Sequence, residues 1–197
     1  MTSTPTHYLL AASADPDLCV LDRFPSIREY LWHATAGVPV GQALPGPVSL
    51  PMSRRMGGKA LADLVPNTLG LLVLSDRAAS WFRERVTAPI EYLPLLIVDH
   101  KGRPVSARFW IANALGRVAC VDRRASRYEE SALAPGEFFG VEQLVLDPAR
   151  VDPARDLFRI PEMPRLILVT NALAAALRDA ALRGVELTDP AGPLDLP

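Results

Sequence analysis

Cysteine is scarce: the 197 residues hold only Cys19 and Cys120. Two cysteines do not make a disulfide framework or a zinc site with Cys ligands. Each lies in an apolar stretch, which suits a buried free thiol in a reducing compartment. Histidine is nearly as rare, with His7, His33 and His100 standing alone. No HExxH, CxxC, CxxxC or HxH spacing occurs, so neither a metal nor a catalytic histidine is expected. No GxGxxG or GxSxG is present. Gly57-Gly58-Lys59-Ala60 lacks the first glycine and the hydroxyl of a phosphate loop. No cofactor is expected. No run approaches the ~20 apolar residues that span a bilayer. Met1 to His7 contains no Lys or Arg and leads into no signal-like apolar run, so the expected location is cytoplasmic and no membrane partner is expected. Charge excess is also missing: the formal net charge is −1 and the pI about 6.3. A general nucleic-acid binder carries a basic excess, because phosphate neutralisation supplies most of its affinity. Direct nucleic-acid binding is therefore not expected, and neither is an acidic mimic of DNA.

What is present is an apolar fraction of 49%, a charged fraction of 22% and 19 prolines, most of them between periodic segments. These values suit one loop-rich globular domain, assigned to residues 1–188, with 189–197 as a flexible tail. His7 to Ala12 and Leu18 to Leu21 read as short strands around the Asp15-Pro16-Asp17 turn. Pro25 to Trp32 reads as a brief helix. Thr35 to Gly58 is dense in Gly and Pro and reads as a long irregular loop. Leu69 to Leu74 is a compact apolar run that suits a buried strand. Ser75 caps the next helix, with Ala78, Phe82 and Val86 as its inner stripe. Ile90 to Val98 and Arg103 to Asn113 form a hairpin through Asp99-His100-Lys101-Gly102. Arg117 to Asp122 and Phe138 to Leu146 extend it as a meander, with a polar loop between them. Leu166 to Val169, a helix capped by Thr170 and stopped at Arg183-Gly184, and Val185 to Thr188 close the domain. The predicted fold is α+β: a mostly antiparallel sheet centred on Ile90 to Leu146, two capped helices packed on it, and the N-terminal part completing an edge. Asp99, Asp122, Glu142 and Asp147 read as turn and edge carboxylates.

Two segments share one plan at an offset of 95 residues. Leu72-Val73-Leu74-Ser75 matches Ile167-Leu168-Val169-Thr170. Arg83 matches Arg178, Pro89 matches Gly184, and Ile90-Glu91 matches Val185-Glu186. The echo supports strand–helix–strand units. It carries no function by itself, because such a unit serves many activities.

An ordered set of short segments adds a family resemblance. It runs through Asp63-Leu64-Val65-Pro66-Asn67, Leu72 to Arg77, Glu91-Tyr92-Leu93-Pro94 and Ile97 to Gly102. It continues through Ile111-Ala112-Asn113, Val118 to Asp122, Leu144 to Asp147 and Asp156-Leu157-Phe158-Arg159. Over about 59–188 this pattern resembles the immunity protein eleven family of bacterial polymorphic-toxin systems. The resemblance implies a non-enzymatic protein that binds a cognate toxin from a neighbouring gene, such as a nuclease of the His-His type, and neutralises it by steric occlusion. It brings no catalytic residues, and the matching positions look structural. Two alternatives remain open: a small α+β enzyme that counteracts the toxin, and an adaptor or chaperone for an effector. A homodimer also remains open.

The candidate partner-binding residues are Trp32 and His33 beside the long loop, and Arg108 and Trp110 on the less apolar face of their strand. Aromatic and Arg side chains dominate tight interfaces. Each Trp also fits a core position.

Overall fold

The computed structural model describes residues 5–22, 28–41 and 47–194. Strand β1 (His7–Ala12), β2 (Cys19–Leu21) and helix α1 (Arg28–Ala36) come first. They are followed by β3 (Val48–Gly57), β4 (Val73–Ser75), α2 (Asp76–Arg85), β5 (Ile90–Val98) and β6 (Phe109–Ala114). Then come β7 (Arg127–Glu130), β8 (Phe138–Gln143), β9 (Leu157–Phe158), β10 (Ile167–Thr170), α3 (Asn171–Asp179) and β11 (Val185–Thr188). The fold is α+β and mostly antiparallel, as the sequence suggests.

The predicted single meander is instead three sheets. One has the order β2-β3-β5-β6-β4, one β11-β1-β10-β9, and the third is the β7-β8 pair. The hairpin of β5 and β6 forms as expected, but β6 begins only at Phe109 and passes its free edge to β4. Arg117 to Asp122 makes isolated bridges rather than a strand. The reason is burial: Cys120 and Val121 join Phe138, Val141 and Leu144 in a core against Leu9, Phe158 and Leu168 of the second sheet. Strand β1 lies inside that sheet, between β10 and β11, so the N-terminal segment is not confined to an edge.

The segment 35–58 is also corrected. Thr35 and Ala36 end α1, residues 42–46 lie outside the described residues, and Val48–Gly57 is a ten-residue strand. Val48, Leu50 and Met52 are buried with Ser49 exposed between the first two, which is strand alternation. Pro51 is tolerated because it stands where β3 changes partners. Val48–Pro51 pairs in parallel with Leu95–Val98, and Met52 opposes Leu21.

The 95-residue echo is a repeated topology. In each unit a strand, a capped helix and a second strand are split by an inserted antiparallel strand: β4-β6-β5 and β10-β1-β11. The registers correspond: Val73, Ile111 and Leu93 lie abreast, as do their counterparts Leu168, Leu9 and Thr188. The Ser75 hydroxyl accepts from the Ala78 N–H at 3.1 Å and that of Thr170 from the Leu173 N–H at 3.3 Å. Arg83 stacks over Trp110, 4.8 Å from the ring centroid, and Arg178 stacks over Tyr8 at 4.6 Å. Both helices bury one stripe in a common core, with Phe82, Ala78 and Ala79 from α2 and Leu173, Ala174 and Leu177 from α3. Full burial of a residue the size of Phe82 contributes about 2–3 kcal/mol.

Carboxylates set where the helices end. Asp156 accepts from the Thr87 and Ala88 N–H groups at 2.8 and 3.1 Å, so α2 ends at Arg85, ahead of Pro89. Asp63 joins the two units. Its Oδ1 accepts from the Ser75 hydroxyl at 2.6 Å, and its Oδ2 from Arg77 Nη1 at 3.0 Å and the Arg183 N–H at 2.9 Å. Arg77 also donates to the Ala180 carbonyl at 3.2 Å. Helix α3 therefore stops at Asp179, before the Arg183-Gly184 stop read from the sequence. Gly184 closes this junction with φ +85°, and a Cβ there would meet the Leu64 carbonyl and Ala62. Past β11, where a flexible tail is expected, the Leu144 N–H donates to the Pro190 carbonyl at 2.8 Å. The Leu194 N–H donates to that of Glu142 at 2.7 Å, and residues 195–197 lie outside the described residues.

Glu91 ties the first sheet to the chain leaving α1. Its carboxylate accepts from the Val40 and Gly41 N–H groups at 2.9 and 2.6 Å and from Asn113 Nδ2 at 3.0 Å. Burial pushes this carboxyl up, but the three hydrogen bonds outweigh burial and leave it below 4.5, its ordinary value.

Asp63→Ala leaves the Ser75 hydroxyl, Arg77 and the Arg183 N–H without their acceptor. Urea unfolding should show a loss of about 2–3 kcal/mol. Glu91 binds its proton less readily folded than unfolded, so its contribution is present above pH 4.5 and is lost as pH falls through the lowered folded value. The stability gap between the natural protein and Glu91→Gln should narrow on acidification over that window. A gap that widens would contradict the assignment.

An arginine-capped helix end and the groove beside it

The last carbonyls of a helix have no partner within it and carry the negative end of the helix dipole. At the end of α1 two arginines take them. Arg159, with no exposed surface, donates from Nη2 to the Ala34 carbonyl at 3.2 Å and from Nη1 to that of Thr35 at 3.0 Å. Its Nη1 also reaches the Pro164 carbonyl at 2.6 Å, and its Nε reaches that of Ala114, at the end of β6, at 3.1 Å. Arg117 Nε takes the Ala36 carbonyl at 2.9 Å. Arg159 has no carboxylate in ion-pair contact among the described residues. Burial, and secondarily the Arg117 charge, lowers its pKa to about 10, so it remains cationic at neutral pH. Gly37 makes this approach possible. It has φ +68°, and a Cβ there would sit 2.9 Å from both the Ala114 carbonyl oxygen and Arg159 Cδ.

A groove of about 380 Å³ opens at this helix end. One wall is Trp32, Thr35 and Ala36 with Arg117; the others are Asn67 to Gly70, Glu137-Phe138 and Glu162 to Arg165. The Asn67 loop is braced by its own side chain. Oδ1 accepts from the Leu69 and Leu71 N–H groups at 3.1 and 3.0 Å, and Nδ2 donates to the Leu71 carbonyl at 2.8 Å. Phe138 is fixed by stacking on Tyr128, with centroids 3.9 Å apart. Trp32 is 69% exposed on this frame. A wider cleft of about 580 Å³ runs between β1 and Leu64 to Val73, but no aromatic residue lines it.

His7, His100, the two cysteines and three turn aspartates have structural surroundings. His7 packs edge-on against Phe158 at 5.5 Å, and burial holds it below its ordinary value. His100 Nε2 lies 2.7 Å from the Ser53 carbonyl oxygen. Burial, then the charge of Glu162, pushes the Cys120 thiol up to about 11, and burial also raises Cys19. Thiols shifted that way are poor nucleophiles at neutral pH. Asp99, Asp122 and Asp147 each accept N–H groups of their own turn. Among the described residues no group of three or more His, Cys, Asp and Glu is arranged to hold a metal ion. No described helix is long and apolar enough to cross a membrane.

The four residues singled out in the sequence do not form one surface. Trp32 and half-buried His33 lie on α1, whose Leu31 and Ala34 pack on the first sheet with Phe109 and Ile111. Trp110 points to the other face, which α2 covers, and its Nε1 donates to Asp76 Oδ1 at 2.8 Å. Arg108 is exposed just before β6, and its carbonyl accepts from the Asp76 N–H at 3.0 Å. The residues that sequence reasoning passed over are Arg117, Arg159 and Arg165. An isolated arginine gives no periodic signal, although Arg159 stood in the quoted Asp156-Leu157-Phe158-Arg159 segment.

Residues 7–191 match the model of a family described as an immunity protein family, Imm11. No curated protein matches the chain.

Arg159→Met removes the partner of four buried or half-buried carbonyls in three chain segments. Stability measured by urea unfolding should drop by about 3–5 kcal/mol, more than a surface arginine such as Arg124 would cost. An unchanged midpoint would remove Arg159 from its central place.

Proposed function

The chain belongs to the Imm11 immunity protein family, and we propose that it binds a cognate bacterial toxin and neutralises it by occluding the toxin's working surface. The family match over residues 7–191 carries this reading. Binding without bond-making is supported by the surroundings of His7, His100 and the two cysteines, which are packed, hydrogen-bonded or shifted away from reactivity. Two free buried thiols, Cys19 and Cys120, fit a reducing cytoplasm, where a cell meets a toxin of its own kind.

The contact surface we assign is the outer side of α1 with Trp32 at its centre and His33 beside it. An indole held out of a braced frame offers large contact area at small ordering cost, the property of an interface anchor. Trp110, hydrogen-bonded and half-covered under α2, serves packing first. A stable complex would bury roughly 1,200–2,000 Å² in total.

Co-expression with the toxin domain encoded in the adjacent reading frame should restore growth, and the two purified proteins should elute as one complex. Trp32→Ala should weaken that complex about 30-fold or more, a hot-spot loss, while the urea midpoint stays within about 0.5 kcal/mol of the natural protein's. Growth restored without complex formation would refute occlusion and favour an enzyme. An adaptor would alter delivery of the toxin and leave the growth of a cell that makes it unrescued.

A further inference from the structure

The charges around the groove are uneven. Arg159 lies beneath the α1 end, buried and, among the described residues, balanced by carbonyl dipoles alone. Arg117 is exposed and gives one N–H to the Ala36 carbonyl. Arg165 is exposed, its Cβ beside Gly70, with no ion pair or side-chain hydrogen bond among the described residues. The acidic groups lining the groove are Glu137 and Glu162, both entering from the β8 side. The Phe138 N–H donates to the Glu162 carbonyl at 2.7 Å, and one Glu162 carboxylate oxygen is buried, turned from solvent. Arg117 on the α1 side and Arg165 beside Gly70 therefore bring guanidinium groups with unused donors to the groove that the exposed Trp32 indole also lines, over a buried third cation.

Resting on the toxin-binding reading, we propose that this groove receives an apolar side chain of the toxin flanked by an Asp or Glu, whose carboxylate pairs with Arg165 and Arg117 while the apolar group lies against Trp32. Guanidinium forks match carboxylates with paired hydrogen bonds. The cation beneath strengthens the attraction where water is displaced. Nucleic acid is the lesser occupant, because the formal net charge of the chain is −1 and two glutamates line the groove with the arginines.

The test uses the full chain and the toxin domain from the adjacent reading frame, with affinity measured at low and high salt. Arg165→Glu should weaken binding by at least about tenfold and flatten its salt dependence, and Arg165→Lys, which keeps the charge but loses the paired hydrogen bonds, should weaken it less. Arg165 is exposed and makes no ion pair or side-chain hydrogen bond among the described residues, so the thermal midpoint should stay in place. Among single Asp/Glu→Lys changes on the toxin, at least one should restore binding to Arg165→Glu. Natural-strength binding by Arg165→Glu, or no restoring change on the toxin, would overturn the assignment while leaving immunity intact. Failure of the natural protein to bind or protect would instead overturn the function and this inference together. Tight binding of a single-stranded oligonucleotide, abolished by Arg165→Glu, would give the groove to phosphate and also overturn it.

Discussion

A buried guanidinium with no carboxylate in ion-pair contact among the described residues holds the molecule together at its least regular point. Arg159 reaches the end of α1, the end of β6 and the Pro164 turn through four carbonyls. Burying a cation is costly unless its donors are satisfied. Here the negative end of a helix dipole and two further carbonyls do that work, so the cation stays charged. Four acceptors from three segments converge on one planar group, and moving any one of them strands the others. That constraint fixes the end of α1, although the chain that follows it is rich in Gly and Pro.

Asp63 does the same for the two repeated units. Its carboxylate gathers the cap of α2, an arginine in that helix's first turn and an N–H beyond α3. The two helices share a core, but apolar packing is indifferent to small rotations. A buried carboxylate with directed donors is not. The polar residues of the family-like segments are largely of this kind. Asp63, Asn67, Asp99, Asn113, Asp156 and Arg159 all bind backbone or side-chain groups of this chain. Such residues specify the shape of the fold. A surface held this firmly loses little entropy when a partner covers it.

Sequence reasoning succeeded where contacts are local or periodic. The spans of β1, β5 and β11, the Ser75 and Thr170 caps and the Asp99 turn follow from alternation, capping and turn chemistry within a few residues. The 95-residue echo was legible as a pattern, and the structure adds that both units insert an antiparallel strand in the same register. Strand β3 was legible in principle through Val48, Leu50 and Met52, but Gly and Pro around it favoured a loop reading.

By itself, then, the sequence determined the α+β class, the capped helices and a family pattern that points to toxin binding. The tertiary structure alone decided how strands divide among three sheets, where both capped helices end, and which residues meet at the groove. The physical reason is separation along the chain. Arg159 lies 125 residues from Ala34 and 45 from Ala114, and Asp63 lies 120 from Arg183. Single polar contacts over such distances leave no period to read, and only the packed core brings them within reach.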